Sequence, residues 1–317
     1  MNILVTGGAG FIGSHLSERL LREGHRVIVI DNFDDFYDPR RKRKNLEPLI
    51  QNSRLRLYEG DLRDDAFVNK VFKAEGIEIV AHLAARAGVR PSIQYPALYT
   101  EVNIRGTLNL LEACRHHQVS RMVFASSSSV YGNNPKVPFA ETDNVDNPIS
   151  PYAATKKAGE LICYTYHHLY GLDIACLRYF TVYGPRQRPE MAIHQFTRLI
   201  HQGKQISLFG DGSSRRDYTY VEDAVEGTVK ALSRENGYEI FNIGESQTTT
   251  LAELVQMIEE RVGKKAVIEY LPAQPGDVER TFADIHRAKE KLGYLPQTDM
   301  RTGIKKFVEW YLSGEKQ

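Results

Sequence analysis

The sequence predicts an α/β protein built on a doubly wound parallel sheet, followed by a smaller α/β lobe. In the first half, short and nearly continuous apolar runs alternate with helical patterns, and this alternation stops after Gly184. Such runs are typical of parallel strands covered on both faces, and their alternation with helices is typical of a doubly wound sheet. Because no internal repeat, low-complexity tract or flexible linker separates the halves, we expect the second to pack directly on the first.

The predicted elements follow in chain order. Six apolar runs are expected to form the strands of the sheet: Asn2–Thr6, Val27–Ile30, Leu55–Tyr58, Ile79–Leu83, Met122–Ala125 and Ile174–Leu177. Four helical patterns connect them: Phe11–Glu23, Asp64–Ala74, Val102–His117 and Ala153–Leu169. Later helices are predicted at Ala192–His201, Val221–Leu232, Leu251–Val262, Ile285–Leu292 and Thr302–Leu312. Residues 1–183 would then form the first domain and residues 184–317 most of the second.

The composition excludes several classes of function. The chain has 317 residues, with 41 Lys and Arg against 40 Asp and Glu, so we expect neither a nucleic acid nor a membrane as partner. The basic run Arg40–Lys44 is interpreted as a solvated loop or a first helical turn. The three cysteines of the chain form no CxxC pair, and the sequence shows no recognisable signal peptide or membrane span. These observations favour a location in the cytoplasm. The adjacent histidine pairs fall on different helix faces, so no metal site is predicted.

A glycine-rich segment, Thr6–Gly13, directly follows the first predicted strand and opens the first predicted helix. Gly7, Gly10 and Gly13 have the spacing GxxGxxG. Glycine is required there because the turn needs unusual dihedral angles, the backbone approaches a pyrophosphate, and the helix packs closely on the strand. The free N–H groups and the positive end of the helix dipole then favour phosphate groups. The segment predicts a dinucleotide site.

Two acidic residues after the next strands bear on the choice of dinucleotide. Asp31 follows the second predicted strand, where a carboxylate accepts hydrogen bonds from the adenosine ribose and repels a 2′-phosphate. NAD is therefore favoured over NADP. Asp61 follows the third strand, and two interpretations stay open: a place at the edge of the adenine, or the N-cap of the following helix.

Tyr152 and Lys156 lie four residues apart on one predicted helix and therefore share a face. A lysine cation beside a phenol stabilises the phenolate and lowers the pKa of the tyrosine, which makes it a base for a hydroxyl proton. Alone, such a pair is more often a surface contact. The serine run Ser126–Ser129 strengthens the catalytic interpretation, because it follows the fifth predicted strand at the edge of the sheet where ligands bind.

With these motifs in place, the chain resembles the extended short-chain dehydrogenase/reductases over essentially its whole length. The resemblance implies a Rossmann fold, NAD as cofactor, a homodimer formed through the helices near Val102–His117 and Ala153–Leu169, and a return of about residues 214–244 to the first domain. It also implies a catalytic triad of Ser127, Tyr152 and Lys156. The NAD contacts that it implies are Gly7, Gly10, Phe11, Ile12, Gly13, Asp31, Asn32, Asp61, Leu62, Leu83, Ala84, Ala85, Asn103, Tyr152, Lys156 and Tyr179.

Downstream residues resemble the family members that act on nucleotide diphosphate sugars, which bind the nucleotide in the smaller lobe. Arg216 matches the arginine at the diphosphate, a role that suits a guanidinium. Phe209 ends the strand that matches the one beside uracil, and Asp277 matches a ribose contact. Gln274 stands where these relatives have an arginine, which leaves one phosphate contact in doubt.

The reaction is narrowed by two further segments. Dehydratases and decarboxylases of the family carry an acid near the triad serine, whereas Ser129 stands immediately before Val130-Tyr131-Gly132 here. The segment Arg178–Ala192 resembles that of UDP-glucuronate 4-epimerases, and neutral-sugar epimerases have Asn where Thr181 stands. A carboxylate on the sugar would be surrounded by Ser128, Ser129, Thr181 and Arg188, with Arg86 or Arg90. Met191 is a further expected substrate contact.

The sequence therefore predicts NAD-dependent epimerisation of a UDP-sugar at C4, with UDP-glucuronate and UDP-galacturonate as the expected pair. Three alternatives are weighed against it. One is a 4-epimerase of UDP-glucose or UDP-N-acetylglucosamine, one is a UDP-glucuronate decarboxylase, and one is a non-catalytic NAD sensor. The sensor is disfavoured because both Tyr152 and Lys156 are present.

Overall fold

The structure is a computed structural model that describes residues 1–235, 237–272 and 280–314. Its strands are β1 Asn2–Thr6, β2 Arg26–Asp31, β3 Leu55–Glu59, β4 Ile79–His82, β5 Arg121–Ser127, β6 Asp173–Tyr179, β7 Thr181–Tyr183, β8 Gln205–Phe209, β9 Arg215–Arg216, β10 Tyr218–Tyr220, β11 Tyr238–Ile243, β12 Thr249–Thr250 and β13 Val267–Leu271. Its α-helices are α1 Phe11–Arg22, α2 Pro39–Leu46, α3 Asp65–Glu75, α4 Val89–Gln94, α5 Pro96–Thr100, α6 Gly106–His116, α7 Pro151–Tyr170, α8 Ala192–His201, α9 Val221–Leu232, α10 Leu251–Val262, α11 His286–Leu292 and α12 Met300–Gly314.

The predicted doubly wound sheet is confirmed. Within the described ranges, seven parallel strands form one sheet in the order β3-β2-β1-β4-β5-β6-β11. The six predicted strands are all present, each within two residues of the expected bounds. The chain moves outwards from β1 to β3, then returns to start β4 on the other side of β1. A crevice forms at that switch point, at the carboxyl ends of the strands, and ligands of such sheets bind there.

The seventh strand was not among the predictions. Its sequence, Tyr238–Ile243, mixes polar and apolar residues, and it lies at the sheet edge, where its first half is partly exposed. The helix predicted over Val102–His117 is also modified, since a π-helical turn over Glu101–Arg105 precedes α6. An extra residue per turn inside a helix is often found near functional sites.

Each face of the sheet has its own apolar core. Leu4 and Ile28 pack in one cluster, whereas their neighbours Val5 and Val29 pack in the other, as the alternation of side chains along a strand requires. The cluster that contains Val5 and Val29 continues without a break into the smaller lobe, where it includes Phe307 of α12. The two parts therefore share one core.

The basic run Arg40–Lys44 lies at the start of a helix, which is one of the two forms expected, and it departs from the expectation at one buried side chain. It forms most of α2, which Asp38 caps by accepting a hydrogen bond from the backbone N–H of Arg40 at 3.0 Å. Lys42 is buried rather than solvated, and its ammonium donates to the carbonyl of Asp34 at 2.8 Å. None of the described helices is both long and apolar enough to span a membrane.

His82, the last residue of β4, joins the sheet to α6. Its Nδ1 lies 2.8 Å from Thr6 Oγ1 and its Nε2 lies 2.9 Å from Thr107 Oγ1. Thr107 donates its own proton to the carbonyl of Asn103, so it accepts from Nε2–H, and Nδ1 accepts from Thr6. A neutral ring satisfies all of these bonds. Burial accordingly lowers the pKa of His82 to about 3.

We predict that His82 destabilises the fold in acid. Between its folded pKa of about 3 and the ordinary value of 6.5, the unfolded chain binds the proton and the folded chain does not, so stability falls as the pH drops below 6.5. From pH 7 to pH 5 this residue should cost about 2 kcal/mol. Denaturant unfolding of His82→Gln at both pH values should show a smaller acid loss than the wild type. The exposed-site control, His116→Gln, should retain the wild-type loss; an equal acid loss in His82→Gln would contradict the assignment.

Candidate active site

The glycine segment forms the tight turn between β1 and α1. Gly7 has a φ of +68°, and a Cβ atom on Gly13 would lie 2.2 Å from the carbonyl oxygen of Gly7. Only glycine therefore permits α1 to begin so close to the end of β1. Gly10 is the N-cap of α1 and supplies no side-chain hydrogen bond, so the first N–H groups of this helix point into the crevice unpaired by any cap. This arrangement fits a pyrophosphate.

Asp31 lies at the end of β2, beside this turn. Its carboxylate accepts hydrogen bonds from the backbone N–H groups of Ala9 at 3.0 Å and Phe33 at 2.9 Å. Burial raises the pKa of Asp31, and the charge of Lys42 and these bonds oppose the rise. The carboxylate retains lone pairs on the side that faces the crevice, as a ribose diol requires.

Asp61 is not a helix cap, so that interpretation was wrong. The N-cap of α3 is Asp64, which accepts from the N–H of Phe67 at 3.0 Å. Asp61 lies on the wall of the crevice instead. It pairs with Arg63, accepts a hydrogen bond from Asn32 at 3.0 Å, and has a pKa lowered to about 2, mainly by Arg63.

One cavity of about 460 Å³ brings most of the predicted residues together. Fifteen of the sixteen predicted NAD contacts line it: Gly7, Gly10, Phe11, Ile12, Gly13, Asp31, Asn32, Asp61, Leu62, Leu83, Ala84, Ala85, Tyr152, Lys156 and Tyr179. The cavity wall also includes Ser127, Ser128, Ser129, Thr181, Arg188 and Met191. A dinucleotide site and a sugar site are therefore continuous in this crevice.

Asn103 is the predicted NAD contact that does not line the cavity. Its side-chain oxygen accepts from the N–H of Arg86 at 2.7 Å, and its amide donates to the carbonyl of Arg86 and to Thr155 Oγ1 at 3.0 Å each. It stands behind the wall and braces the segment after β4 against α7.

Ser127, Tyr152 and Lys156 meet where β5 and α7 approach each other. Ser150 caps α7 and Pro151 occupies its first turn, so Tyr152 lies at the very start of that helix. Ser127 accepts hydrogen bonds from the backbone N–H of Ser129 at 3.2 Å and from its hydroxyl at 2.8 Å. Its own proton is thereby directed towards the phenol of Tyr152, with which it is hydrogen-bonded.

The electrostatics of this trio differ from the sequence expectation. Burial raises the pKa of Tyr152, against which the Ser127 hydrogen bond and the charge of Arg188 act. The ammonium of Lys156 donates to the carbonyl of Ala125 at 2.7 Å, and burial lowers its pKa to about 8. Arg188 is the cation whose charge opposes the rise in the pKa of the phenol.

A pair of guanidinium groups shares one aromatic ring beside the trio. The guanidinium of Arg86 lies 5.0 Å from the ring centroid of Phe36, and that of Arg188 lies 5.7 Å from it. Arg86 is already paired with Asp34 in a short ion pair. Arg188 pairs with Glu190 at 3.1 Å, a residue that is more exposed than itself. Of these two arginines, Arg188 is the one whose partner lies towards solvent.

The predicted nucleotide contacts lie away from this wall. Phe209 ends β8, and the guanidinium of Arg90 stacks over its ring at 4.7 Å. Arg216 lies in β9 and donates to the carbonyl of Arg215 at 3.0 Å. Asp277 lies outside the described residues. Of the three predicted nucleotide contacts, the structure therefore describes Phe209 and Arg216.

No group of three or more potential metal-ligating side chains occurs in the described ranges. The sequence of the chain matches, over residues 4–307, the profile of a family described as GDP-mannose 4,6 dehydratase. The chain belongs to the NAD-dependent epimerase/dehydratase family.

Three relatives of this epimerase/dehydratase are similar over nearly its whole length. A UDP-glucuronate 4-epimerase of Thermodesulfobacterium geofontis is 46% identical, covering 97% of this chain and 95% of that protein. The crystal structure of a UDP-glucuronic acid 4-epimerase from Bacillus cereus, in complex with UDP-glucuronic acid and NAD, superposes with a TM-score of 0.92 at 38% identity and 99% coverage of both chains. A Thermotoga maritima UDP-glucose 4-epimerase with UDP-glucose also gives 0.92 and 38%, covering 99% and 100%.

Several residues of this epimerase/dehydratase site were missed by sequence reasoning. Asp34, Phe36, Tyr37 and Lys42 all line the cavity. The first three lie in the segment that joins β2 to α2, and Lys42 lies in α2. The adjacent aromatic residues Phe36 and Tyr37 were the sequence feature that could have indicated a place on the cavity wall. Because such a short polar run resembles a surface loop, nothing local indicated that it folds back over the crevice.

Proposed function

We propose that this NAD-dependent UDP-sugar 4-epimerase interconverts UDP-glucuronate and UDP-galacturonate. The observation that carries the proposal is the position of Arg188, on the cavity wall close enough to Tyr152 for its charge to act on the phenol. Ser128, Ser129 and Thr181 line the same wall and offer hydroxyl groups. Together they form a site for an anionic substituent beside the reacting carbon.

The two parts of the fold would bind different ligands. Residues 1–183, with about 214–244, would hold NAD, and residues 184–317 would supply most of the contacts with the UDP moiety. Pairing of β11 with β6 supports the first part, since it returns the chain to the parallel sheet. The stacking of Arg90 on Phe209 supports the second, because an aromatic ring beside a cation suits a nucleotide base and its phosphates.

Tyr152 acts as the base that removes the proton from the C4 hydroxyl. Ser127 donates a hydrogen bond to the reacting oxygen, and Lys156 holds the nicotinamide ribose. When bound, NAD⁺ supplies a hydride acceptor for C4, a hydride donor for the return step, and a positive charge that favours the phenolate. Tyr152 afterwards returns its proton to the oxygen at C4 of the turned sugar, so no second redox substrate is consumed.

The carboxylate donors have a chemical purpose. Oxidation at C4 makes a β-keto acid, which loses CO₂ most readily when its carboxylate is desolvated and the C5–C6 bond aligns with the carbonyl π system. Hydrogen bonds from hydroxyl groups and the guanidinium of Arg188 solvate the carboxylate and fix its orientation. Both effects oppose decarboxylation, which agrees with a hydroxyl rather than an acid at Ser129.

A neutral UDP-sugar is the second candidate substrate. The specific observation in its favour is that the UDP-glucose epimerase superposes on this chain as well as the UDP-glucuronic acid epimerase does. Against it stands the guanidinium of Arg188 on the cavity wall, which would gain no carboxylate partner from a sugar with a CH₂OH group.

We also propose a homodimer. The exposed large apolar residues of α6 and α7 lie on the two helices expected to form the interface: Leu108, Leu161, Tyr164, Leu169 and Tyr170. Burying such residues against a second copy would remove them from water.

The substrate assignment is tested by incubating the purified protein, without added NAD, with UDP-glucuronate and identifying the sugar by NMR. We expect UDP-galacturonate. UDP-xylose with CO₂ would contradict the proposal, as would no turnover of the uronate together with turnover of UDP-glucose or UDP-N-acetylglucosamine.

Replacing the base should stop the chemistry without removing the cofactor. Tyr152→Phe deletes the phenol oxygen and should lower kcat by at least about 10²-fold, while NAD remains bound. A matched control is Tyr99→Phe, which removes a phenol from the ring packed edge-on against Tyr152 at 6.3 Å. The control should retain activity to within a few-fold. Near-native rates in Tyr152→Phe would show that another group is the base.

A further inference from the structure

The loop that carries Arg188 is fastened to the first helix of the NAD-binding part. This loop, residues 184–191, runs from the end of β7 to the start of α8, and both Arg188 and Met191 lie on the cavity wall. Two residues of the loop, Pro185 and Arg186, contact three residues of α1. We refer to these contacts as the α1 clasp; its side chains are His15, Glu18 and Arg186, with Ser14 beside them.

The first contact of the clasp is a buried histidine hydrogen bond. His15 Nε2 lies 2.9 Å from the carbonyl oxygen of Pro185, and since a carbonyl can only accept, Nε2 carries the proton. Burial and the charge of Arg186 lower the pKa of His15 to about 4. The ring is therefore neutral near pH 7 and holds the loop as a fixed donor.

The second contact is an ion pair formed by Arg186, a residue whose backbone has an unusual conformation. Arg186 Nη2 lies 2.8 Å from Glu18 Oε2, and Arg186 Nη1 lies 3.5 Å from Ser14 Oγ. Arg186 has a φ of +66°, in the left-handed region that residues other than glycine rarely adopt. Such a conformation persists when surrounding contacts hold it. The ion pair with Glu18 is one of those contacts.

The residue between the two arginines completes the arrangement. Gln187 is buried, its amide donates to the carbonyl of Val182 at 3.2 Å, and its N–H donates to the carbonyl of Gly184 at 3.1 Å. Pro185, Arg186 and Gln187 are thus each tied down immediately before Arg188. The direction from which the Arg188 guanidinium enters the cavity is set by these three residues.

We propose that His15, Glu18 and Arg186 are positioning residues that aim Arg188 at the substrate carboxylate. Because α1 begins at the glycine turn, the clasp ties the carboxylate contact to the helix that faces the pyrophosphate. The inference rests on the proposed uronate substrate. It assigns a role to residues that touch neither substrate nor cofactor.

The consequence for chemistry is a change in the fate of the 4-keto sugar. If Arg188 is misplaced, the C5–C6 bond breaks more often and CO₂ leaves. The electron pair of that bond passes to C5 and the C4 carbonyl as an enolate, and C5 then takes a proton from water. C4 then takes back the hydride removed in the oxidation, which gives a UDP-pentose, so no further oxidant or reductant is needed. A purely structural contact would change stability without changing this partition.

Two variants open the clasp. Glu18→Gln removes the charge opposite Arg186, and Arg186→Gly removes the guanidinium while relieving the positive φ. Each should raise the KM for UDP-glucuronate roughly 3- to 10-fold and raise the ratio of CO₂ to UDP-galacturonate. Arg186→Lys keeps a cation and should restore part of the effect. NAD content and melting temperature should remain close to those of the wild type.

Glu23→Gln is the matched control, because Glu23 lies on the same helix and forms an ion pair with Arg19 at 2.5 Å, away from the loop. It should leave both readouts at the wild-type values. Unchanged KM and partition in Glu18→Gln and Arg186→Gly would overturn the clasp proposal, as would an equal shift in Glu23→Gln. Wild-type turnover of UDP-glucuronate is measured first: its absence overturns the proposed function itself, whereas its presence with unaltered variants overturns the clasp alone.

Discussion

The close approach of α1 to β1 is the constraint on which the rest of the site depends. Because a Cβ atom on Gly13 would meet the carbonyl oxygen of Gly7 at 2.2 Å, the helix can begin there only without side chains at these positions. The uncapped N–H groups of α1 then face the crevice between β1 and β4. From this starting point, Asp31 is brought beside the turn, and His15 and Glu18 are placed one and two turns further along, against the loop that carries Arg188.

The chemistry of the site is a balance between burial and positive charge. Burial keeps Tyr152 protonated and thus unavailable as a base, since it raises the pKa of the phenol. Arg188 and the Ser127 hydrogen bond act against that rise, and an oxidised nicotinamide adds to them when it binds. A phenol that becomes a base only when the oxidised cofactor is present protects the site from unproductive proton transfer. Arg188 thereby has two proposed tasks, because the same cation would hold the carboxylate of the sugar.

Much of this could be predicted from local sequence. Strongly periodic or uniformly apolar segments such as β1, α9 and α10 were predicted to the residue. The glycine turn and Asp31 predicted a dinucleotide site. The failures were tertiary. The edge strand β11 mixes polar and apolar residues, and its first half is partly exposed. The helix α2 is mostly basic, yet Lys42 is buried there and donates to a backbone carbonyl. Arg86 and Arg188 both contact the ring of Phe36, although they lie about 50 and about 150 residues from it in the sequence. No local sequence pattern could have predicted these contacts.

The central claim is that hydride leaves C4 and returns to C4 without leaving the protein. The direct measurement uses UDP-glucuronate carrying deuterium at C4, incubated in ordinary water with protein as purified and no added NAD. The account predicts that the UDP-galacturonate formed retains the deuterium at C4, because the hydride is never exchanged with solvent. Loss of the label to water, or a requirement for added NAD in each turnover, would contradict it.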